Sequence, residues 1–164
     1  MATDIRPLIR PIVRTDLEMV LAWRNHKNVR MCMLNQHEIS KEEHVQWFSS
    51  LQTNPSTLVF IVECAMTPIG LAQFKNIAPS FIADWGFYLA PDAPKGSGML
   101  LGLTTLDYAF SSLHLTKVCG QVLPDNKASI KFHEKLGFQR EGMQDGLVCF
   151  GLTKHHWNLS VAPN

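Results

Sequence analysis

Apolar residues are grouped at helical spacing in the first third of the chain and gather into β-branched and aromatic runs in the middle. A short apolar-rich run, LIRPIV at 8–13, reads as a strand, and Thr15-Asp16-Leu17-Glu18 has the spacing of a capping box that opens a helix through about Arg24. A second box, Ser40-Lys41-Glu42-Glu43, opens a helix on which His44, Trp47, Phe48 and Leu51 fall at i, i+3, i+4 and i+7. That face has to pack inward, with His44 at its start.

From Thr57 the runs TLVFIVEC, IGLAQFKNI and FIADWGFYL, separated by an MTP turn and other turn residues, predict an antiparallel meander of three strands. Residues 98–112 are too long and too apolar for a further strand and predict a buried helix that starts at glycines. A strand at 117–122 follows. Asp125 or Asn126 caps a helix through Leu136, with Gly137 ending it in the left-handed region and Ser129, Phe132, His133 and Leu136 on one stripe. FQREG and LVCFGLT close the chain as strands around Gln144-Asp145-Gly146. The order β-α-α-β-β-β-α-β-α-β-β, without repeats, predicts an α/β sheet with helices on its faces.

With 164 residues and 46% hydrophobic content, the chain is expected to form one domain spanning 1–164. A net charge of +1 gives no global case for nucleic acid or an anionic membrane, so any anion site must be local. Cys32, Cys64, Cys119 and Cys149 form no CxxC pair, and MATDIRPLIR has no apolar leader core, so a cytoplasmic protein with reduced thiols is expected. No apolar run reaches the ~18 residues of a membrane span. His37 and His44 stand seven apart, outside the HExxH pattern, and no metal site is expected.

The stretch APKGSGML at 93–100 places Gly96 and Gly98 between a strand and a helix, where backbone N–H groups and the helix dipole suit a phosphate and Lys95 adds charge. By itself a G-x-G pair is as consistent with a simple turn. A Walker loop is excluded because the lysine precedes the glycines, and a GxGxxG fingerprint because position 101 is Leu and an antiparallel meander comes first. A loop for a diphosphate remains.

Together with NKASIKFHEKLGF at 126–138, that loop resembles the GNAT superfamily of acetyl-CoA-dependent N-acetyltransferases, over about residues 8–157. The resemblance implies a mixed, mostly antiparallel sheet of about seven strands with helices on both faces. It implies acetyl-CoA as cosubstrate, with its pyrophosphate on the amides of Gly96, Ser97 and Gly98 and the first turn at Met99. The family's leading Arg or Gln of the loop is Ala93 here, and Lys95 stands in for the missing charge. Phe87, Tyr88 and Leu89 would pair through main chain with the pantetheine arm. Asn126 matches a pantetheine contact, although a plain N-cap explains it equally.

The stretch LAWRNHKNVRMCMLNQHEIS is similar to the branch with ribosomal-protein N-terminal acetyltransferases, and its continuation to nucleotide-aminosugar N-acetyltransferases of the pseudaminic acid pathway, which serves flagellin glycosylation. By position, that likeness puts Arg24 and His44 on the nucleotide diphosphate, Met33 in the pocket wall, and Lys75 and Tyr88 on the nucleotide. The acceptor would be the 4-amino group of a UDP-linked sugar. Arg24 as a helix-end cap, His44 as a satisfied residue on an apolar face and Lys75 as a solvated charge are the alternative readings.

The family attacks the thioester directly, without a covalent enzyme intermediate, and its general acid is commonly a Tyr in xYEKxGF. FHEKLGF places His133 there, and Asp84 falls where some members carry a general base. A protein N-terminal acetyltransferase and a non-catalytic acyl-CoA-binding module are the competing functions, and a homodimer through strand exchange near the C-terminus is left open.

Overall fold

In the computed structural model, which describes residues 6–161, β1 (Leu8–Pro11), β2 (Leu58–Cys64), β3 (Thr67–Lys75) and β4 (Ile82–Leu89) pair antiparallel in that order. Residues 1–5, part of the segment read as lacking a leader core, lie outside the described residues, as do 162–164. β5 (Lys117–Val122) joins β4 in parallel, and β7 (Leu147–Thr153) and β6 (Gln139–Gln144) complete a seven-stranded sheet of order β1-β2-β3-β4-β5-β7-β6. The sheet is mostly antiparallel, as expected.

Its one parallel pairing is short. Ile82, Ala83 and Asp84 pair with Lys117, Val118 and Cys119, and the ladder stops there. β4 runs on beside β3 to Leu89, and β5 runs on beside β7 to Val122, each without the other. A gap therefore opens in mid-sheet, between strands that are ordered by their outer neighbours.

Strand alternation sends Val59, Ile61, Leu71 and Tyr88 to one face, where α1 (Leu17–Asn25) and, after the one-turn α2 (Lys27–Arg30), α3 (Lys41–Leu51) cover them with Val20, Trp23, Trp47 and Leu51. Phe60, Phe74 and Trp85 point to the other face. There they meet the buried residues of α4 (Ser97–Ser111) and the stripe of α5 (Lys127–Lys135) that includes Phe132. A last helix, α6 (Lys154–Val161), seats Trp157 beside Phe110 at 6.0 Å between ring centres. The sequence pattern gave no sign of α6, because its apolar residues are few and only Trp157 is buried.

The Ser40 capping box forms: Glu43 N–H donates to Ser40 Oγ at 3.1 Å, and Ser40 N–H donates to the Glu43 carboxylate at 2.7 Å. The expected Thr15–Glu18 box does not. Residues Arg14–Asp16 make a 3-10 turn instead, and Asp16 accepts from Val13 N–H at 2.8 Å and from both Arg10 terminal nitrogens at 2.8 and 2.9 Å. The helical turn opens earlier than expected, with Val13 as its cap and Asp16 as the third residue, held in place by Arg10 from β1. The meander's first turn is Ala65-Met66, both at positive φ, so Thr67 and Pro68 of the expected turn already belong to β3. At the last hairpin Asp145 and Gly146 both take positive φ, as a tight two-residue turn requires.

Arg10 also donates through Nε to Glu63 at 2.9 Å, joining β1, β2 and the entry to α1. Its guanidinium holds the Asp16 carboxyl below the usual carboxylate value. The resulting stability is complete above the unfolded carboxylate pKa and is lost as pH falls through the depressed folded value. Asp16→Asn is therefore expected to cost about 2 kcal/mol at neutral pH. In urea denaturation, the gap to the wild type should close under strongly acid conditions.

Candidate active site

The gap between β4 and β5 opens into a cleft of about 1120 Å³. Register builds its floor: Lys75 lies opposite Asp84, Gln73 opposite Gly86 and Leu71 opposite Tyr88. Of the residues singled out in the sequence, Arg24, Met33, His44, Lys75, Asp84, Phe87, Tyr88, Leu89, Gly98, Asn126 and His133 line this cleft, whereas Lys95, Gly96, Ser97 and Met99 do not. Positions 109 residues apart in the chain, Arg24 and His133, meet around one space because the two helical layers cover opposite faces of a sheet that is split in the middle.

At the glycine loop, Gly96 turns the chain at φ +90° and caps α4. The Ser97 amide was expected to face an anion, but it donates to Pro94 O at 3.1 Å, which removes it from that role. The amides of Gly98 and Met99 belong to the first turn, whose N–H groups have no carbonyl a turn behind them within the helix. A Cβ on Gly98 would meet Leu89 and Phe132 only at 3.6 and 4.0 Å, so core packing does not demand a glycine there. Its bare backbone leaves the cleft wall open to a close-lying group. Lys95 is exposed, and Asn126 caps α5 through its carbonyl oxygen, accepting from Ser129 N–H at 3.2 Å, which leaves its amide nitrogen for the cleft.

His133 is 3% exposed and both ring nitrogens are engaged. A carbonyl can only accept, so the 2.8 Å contact with Ser129 O places the proton on Nδ1, and Nε2 accepts from the Trp85 indole N–H at 3.1 Å. Phe138 and Phe150 lie 5.0 Å away on either flank, and burial pushes the imidazole's pKa down. The neutral ring therefore has no free N–H to offer a leaving thiolate. The general-acid role expected from its position in FHEKLGF finds no donor in this geometry.

His44 behaves similarly. Its Nε2–H donates to Leu17 O at 2.9 Å, the ring stacks on Trp47 at 5.1 Å, and burial lowers its pKa. It joins α3 to the start of α1 as a neutral group, so it brings no positive charge to a diphosphate. Asp84 is exposed at the outer end of the floor and accepts from Asn76 Nδ2 at 3.0 Å.

Arg24 differs from both histidines. One terminal nitrogen, Nη2, donates to Asn35 O at 2.6 Å, while Nη1 is buried without a hydrogen-bond partner. Burial disfavours its charge and nearby Tyr88 offsets part of that effect, while burial also pushes the Tyr88 phenol well above its ordinary value. A buried guanidinium N–H left unpaired in a cleft calls for an acceptor from a ligand.

The next residue, Asn25, was missed. Its amide exchanges two 2.8 Å hydrogen bonds with the backbone of Ile39, so the adjacent residues of the WRN triplet both fasten the 31–39 segment that forms the outer cleft wall. A polar residue at the end of an amphipathic helix was the available signal, and it reads equally well as a helix stop. Among the described residues, no group of three or more His, Cys, Asp or Glu is placed to hold a metal ion.

The family description "Acetyltransferase (GNAT) domain" matches residues 6–139. The acetyltransferase PseH of Campylobacter jejuni is 28% identical over 123 residues, covering 75% of this chain and 76% of its own length. Among solved structures, the spermidine N-acetyltransferase of Vibrio cholerae in complex with CoA and spermine superposes at a TM-score of 0.84 with 22% identity, over 93% of this chain and 98% of that one. Campylobacter jejuni PseH in complex with acetyl coenzyme A superposes at 0.72 with 23% identity, over 89% and 99%. At such identities the structural likeness is one of fold.

Because both imidazoles have folded pKa values below the ordinary 6.5, the unfolded chain binds more protons once the pH drops past that value. Stability is full above it and falls as pH descends through the folded values. The thermal midpoint should thus decline between about pH 7 and pH 5, and imidazole NMR titration should find both rings still neutral below 6.5. For the outer wall, Asn25→Ala should speed hydrogen exchange at the Ile39 amide by at least about tenfold while β2 and β3 amides keep their protection.

Proposed function

Since the chain belongs to the GNAT acetyltransferase family, we propose that it transfers the acetyl group of acetyl-CoA to the 4-amino group of a UDP-linked aminosugar, a step of pseudaminic acid assembly. Acetyl-CoA supplies an activated thioester. The amides of Gly98 and Met99 at the start of α4 would hold its pyrophosphate, helped by the helix dipole. Its pantetheine arm would lie along the edge of β4 from Phe87 to Leu89, where backbone groups facing the gap lack a strand partner. Asn126 lines the same cleft.

The chain's own contribution is positioning and polarisation. Backbone N–H groups on the unpaired edge of β4 polarise the thioester carbonyl, and apolar walls from Leu71, Phe87 and Phe132 exclude water from it. The acceptor amine attacks directly: its C–N bond forms, the C–S bond breaks, and the amine's proton is shed. His133 donates no proton, so the thiolate takes one from water. Asp84, at the wet end of the floor, takes the amine's proton through water.

The observation that carries the acceptor assignment is the unpaired Arg24 Nη1, buried in the cleft wall. An anionic acceptor such as a nucleotide diphosphate satisfies it, with Lys75 on the floor as second cation. A polyamine is the less favoured acceptor: Arg24 and Lys75 would repel a polycation, and of the two lining carboxylates Glu43 is already engaged by Ser40 N–H. Met33 and Tyr88 would frame the sugar and base. Both substrates are cytoplasmic metabolites, and the reading implies a cytoplasmic enzyme.

Free-thiol release should be measured with acetyl-CoA and a panel of a UDP-4-amino-dideoxy sugar, spermidine and a ribosomal N-terminal peptide. Turnover is expected with the nucleotide sugar, and Arg24→Ala should raise its KM roughly thirtyfold, equivalent to ~2 kcal/mol, with little change for acetyl-CoA. Turnover on spermidine or peptide alone would reassign the acceptor. Coenzyme binding without turnover on any amine would mark an acyl-CoA-binding module.

A further inference from the structure

The residue standing where the family keeps its proton donor has no proton to give, and its contacts describe another task. The parallel ladder ends at the pair Asp84–Cys119. The next residue on β4 is Trp85 and the next on β5 is Gly120, the first two positions of the gap. Trp85 Nε1–H donates to His133 Nε2 at 3.1 Å. A Cβ built on Gly120 would lie 2.8 Å from His133 Nε2 and 3.0 Å from Trp85 Nε1, nearer than the first such contact can stand and at the limit for the second. Only a glycine lets the β5 backbone approach this pair.

We propose that His133 is a positioning residue: with Trp85 and Gly120 it forms a bridge from β4 through α5 to β5 that fixes the separation of the strands where they part, and so the width of the coenzyme slot. The inference rests on the coenzyme reading given above. The bridge is rigid because every face of the imidazole is occupied. Nδ1–H is held by Ser129 O at 2.8 Å, one helical turn back on α5. Phe150 stacks on the ring at 5.0 Å, and Phe138 meets it edge-on at the same distance.

The bridge also touches the slot. Trp85 packs on Phe87 at 4.7 Å, and Phe87 packs on Phe132 of α5 at 5.1 Å. Phe87 begins the stretch of β4 whose free edge would face the pantetheine. A shift of Trp85 relative to Gly120 therefore moves the coenzyme edge directly, while the 31–39 wall on the opposite face of the sheet is fastened separately by Arg24 and Asn25. Losing the bridge should weaken coenzyme binding and spare the acceptor.

The test is calorimetric titration of coenzyme A into the wild type, Trp85→Phe and Gly120→Ala, with steady-state KM values for acetyl-CoA and acceptor alongside. Trp85→Phe keeps an aromatic ring and deletes the N–H; Gly120→Ala drives a methyl into the bridge. Each should weaken coenzyme A by at least tenfold while leaving acceptor KM and the shape of the pH–rate profile unchanged. Near-UV circular dichroism shows that the variants are folded, and Trp85→Phe decides the matter if Gly120→Ala is not. Folded Trp85→Phe that binds coenzyme A within twofold of the wild type would overturn the proposal. So would a His133→Ala enzyme that keeps coenzyme affinity but loses a limb of the pH–rate profile, which is the signature of an acid. A wild type that binds no coenzyme A would instead remove the coenzyme reading itself.

Discussion

Everything functional in this fold follows from the early end of one parallel ladder. Three residue pairs join β4 to β5, and then two strands that remain ordered by β3 and β7 leave each other unpaired. Main-chain donors and acceptors left unpaired inside a sheet need partners from elsewhere, and here they face an open cleft. A structure that keeps such a gap has a use for the free edge. The cleft, the floor formed by Lys75, Asp84 and Tyr88, and the approach of α4 and α5 all take their position from it.

The buried polar groups divide into those that are satisfied and those that wait. Asp16 is satisfied by Arg10 and by Val13 N–H, His44 by Leu17 O, and His133 by Ser129 O and Trp85. Each fastens two elements. Among the described residues, only Arg24 Nη1 and Thr105 Oγ1 are buried side-chain atoms without a partner. Thr105 is sealed in the interior of α4 and away from the cleft, whereas Arg24 is in the cleft wall. The contrast leaves the arginine with a nitrogen to spare in the cleft wall, whereas the ring nitrogens of His133 and Nε2 of His44 are engaged.

That division explains which readings of the sequence held. The Ser40 box, the Asn126 cap, the Gly137 terminator and the Asp145-Gly146 turn are local matters, decided by residues within a few positions of one another, and they formed as expected. The Thr15–Glu18 box did not form because the turn opens earlier, with Val13 as its cap and Asp16, held by Arg10, as the third residue. α6 was invisible because one buried tryptophan makes no period. The resemblance in FHEKLGF located His133 in the cleft but could not reveal that an indole from β4 would occupy its second nitrogen.

The sequence by itself therefore determined the seven strands, four of the helices, their order and the family resemblance, since periodicity, caps and turn residues act over short stretches of chain. It also determined many of the residues that gather, because the order of elements dictates which strand ends meet: Arg24, His44, Tyr88 and His133 line the cleft, whereas Lys95, Gly96, Ser97 and Met99 do not. What only the tertiary structure decided was the state of each gathered side chain. Whether a histidine carries a proton to donate, or an arginine a nitrogen to spare, depends on partners brought from 27 residues away for His44, 48 for His133 and 11 for Arg24. Those partners are set only when the elements pack against one another.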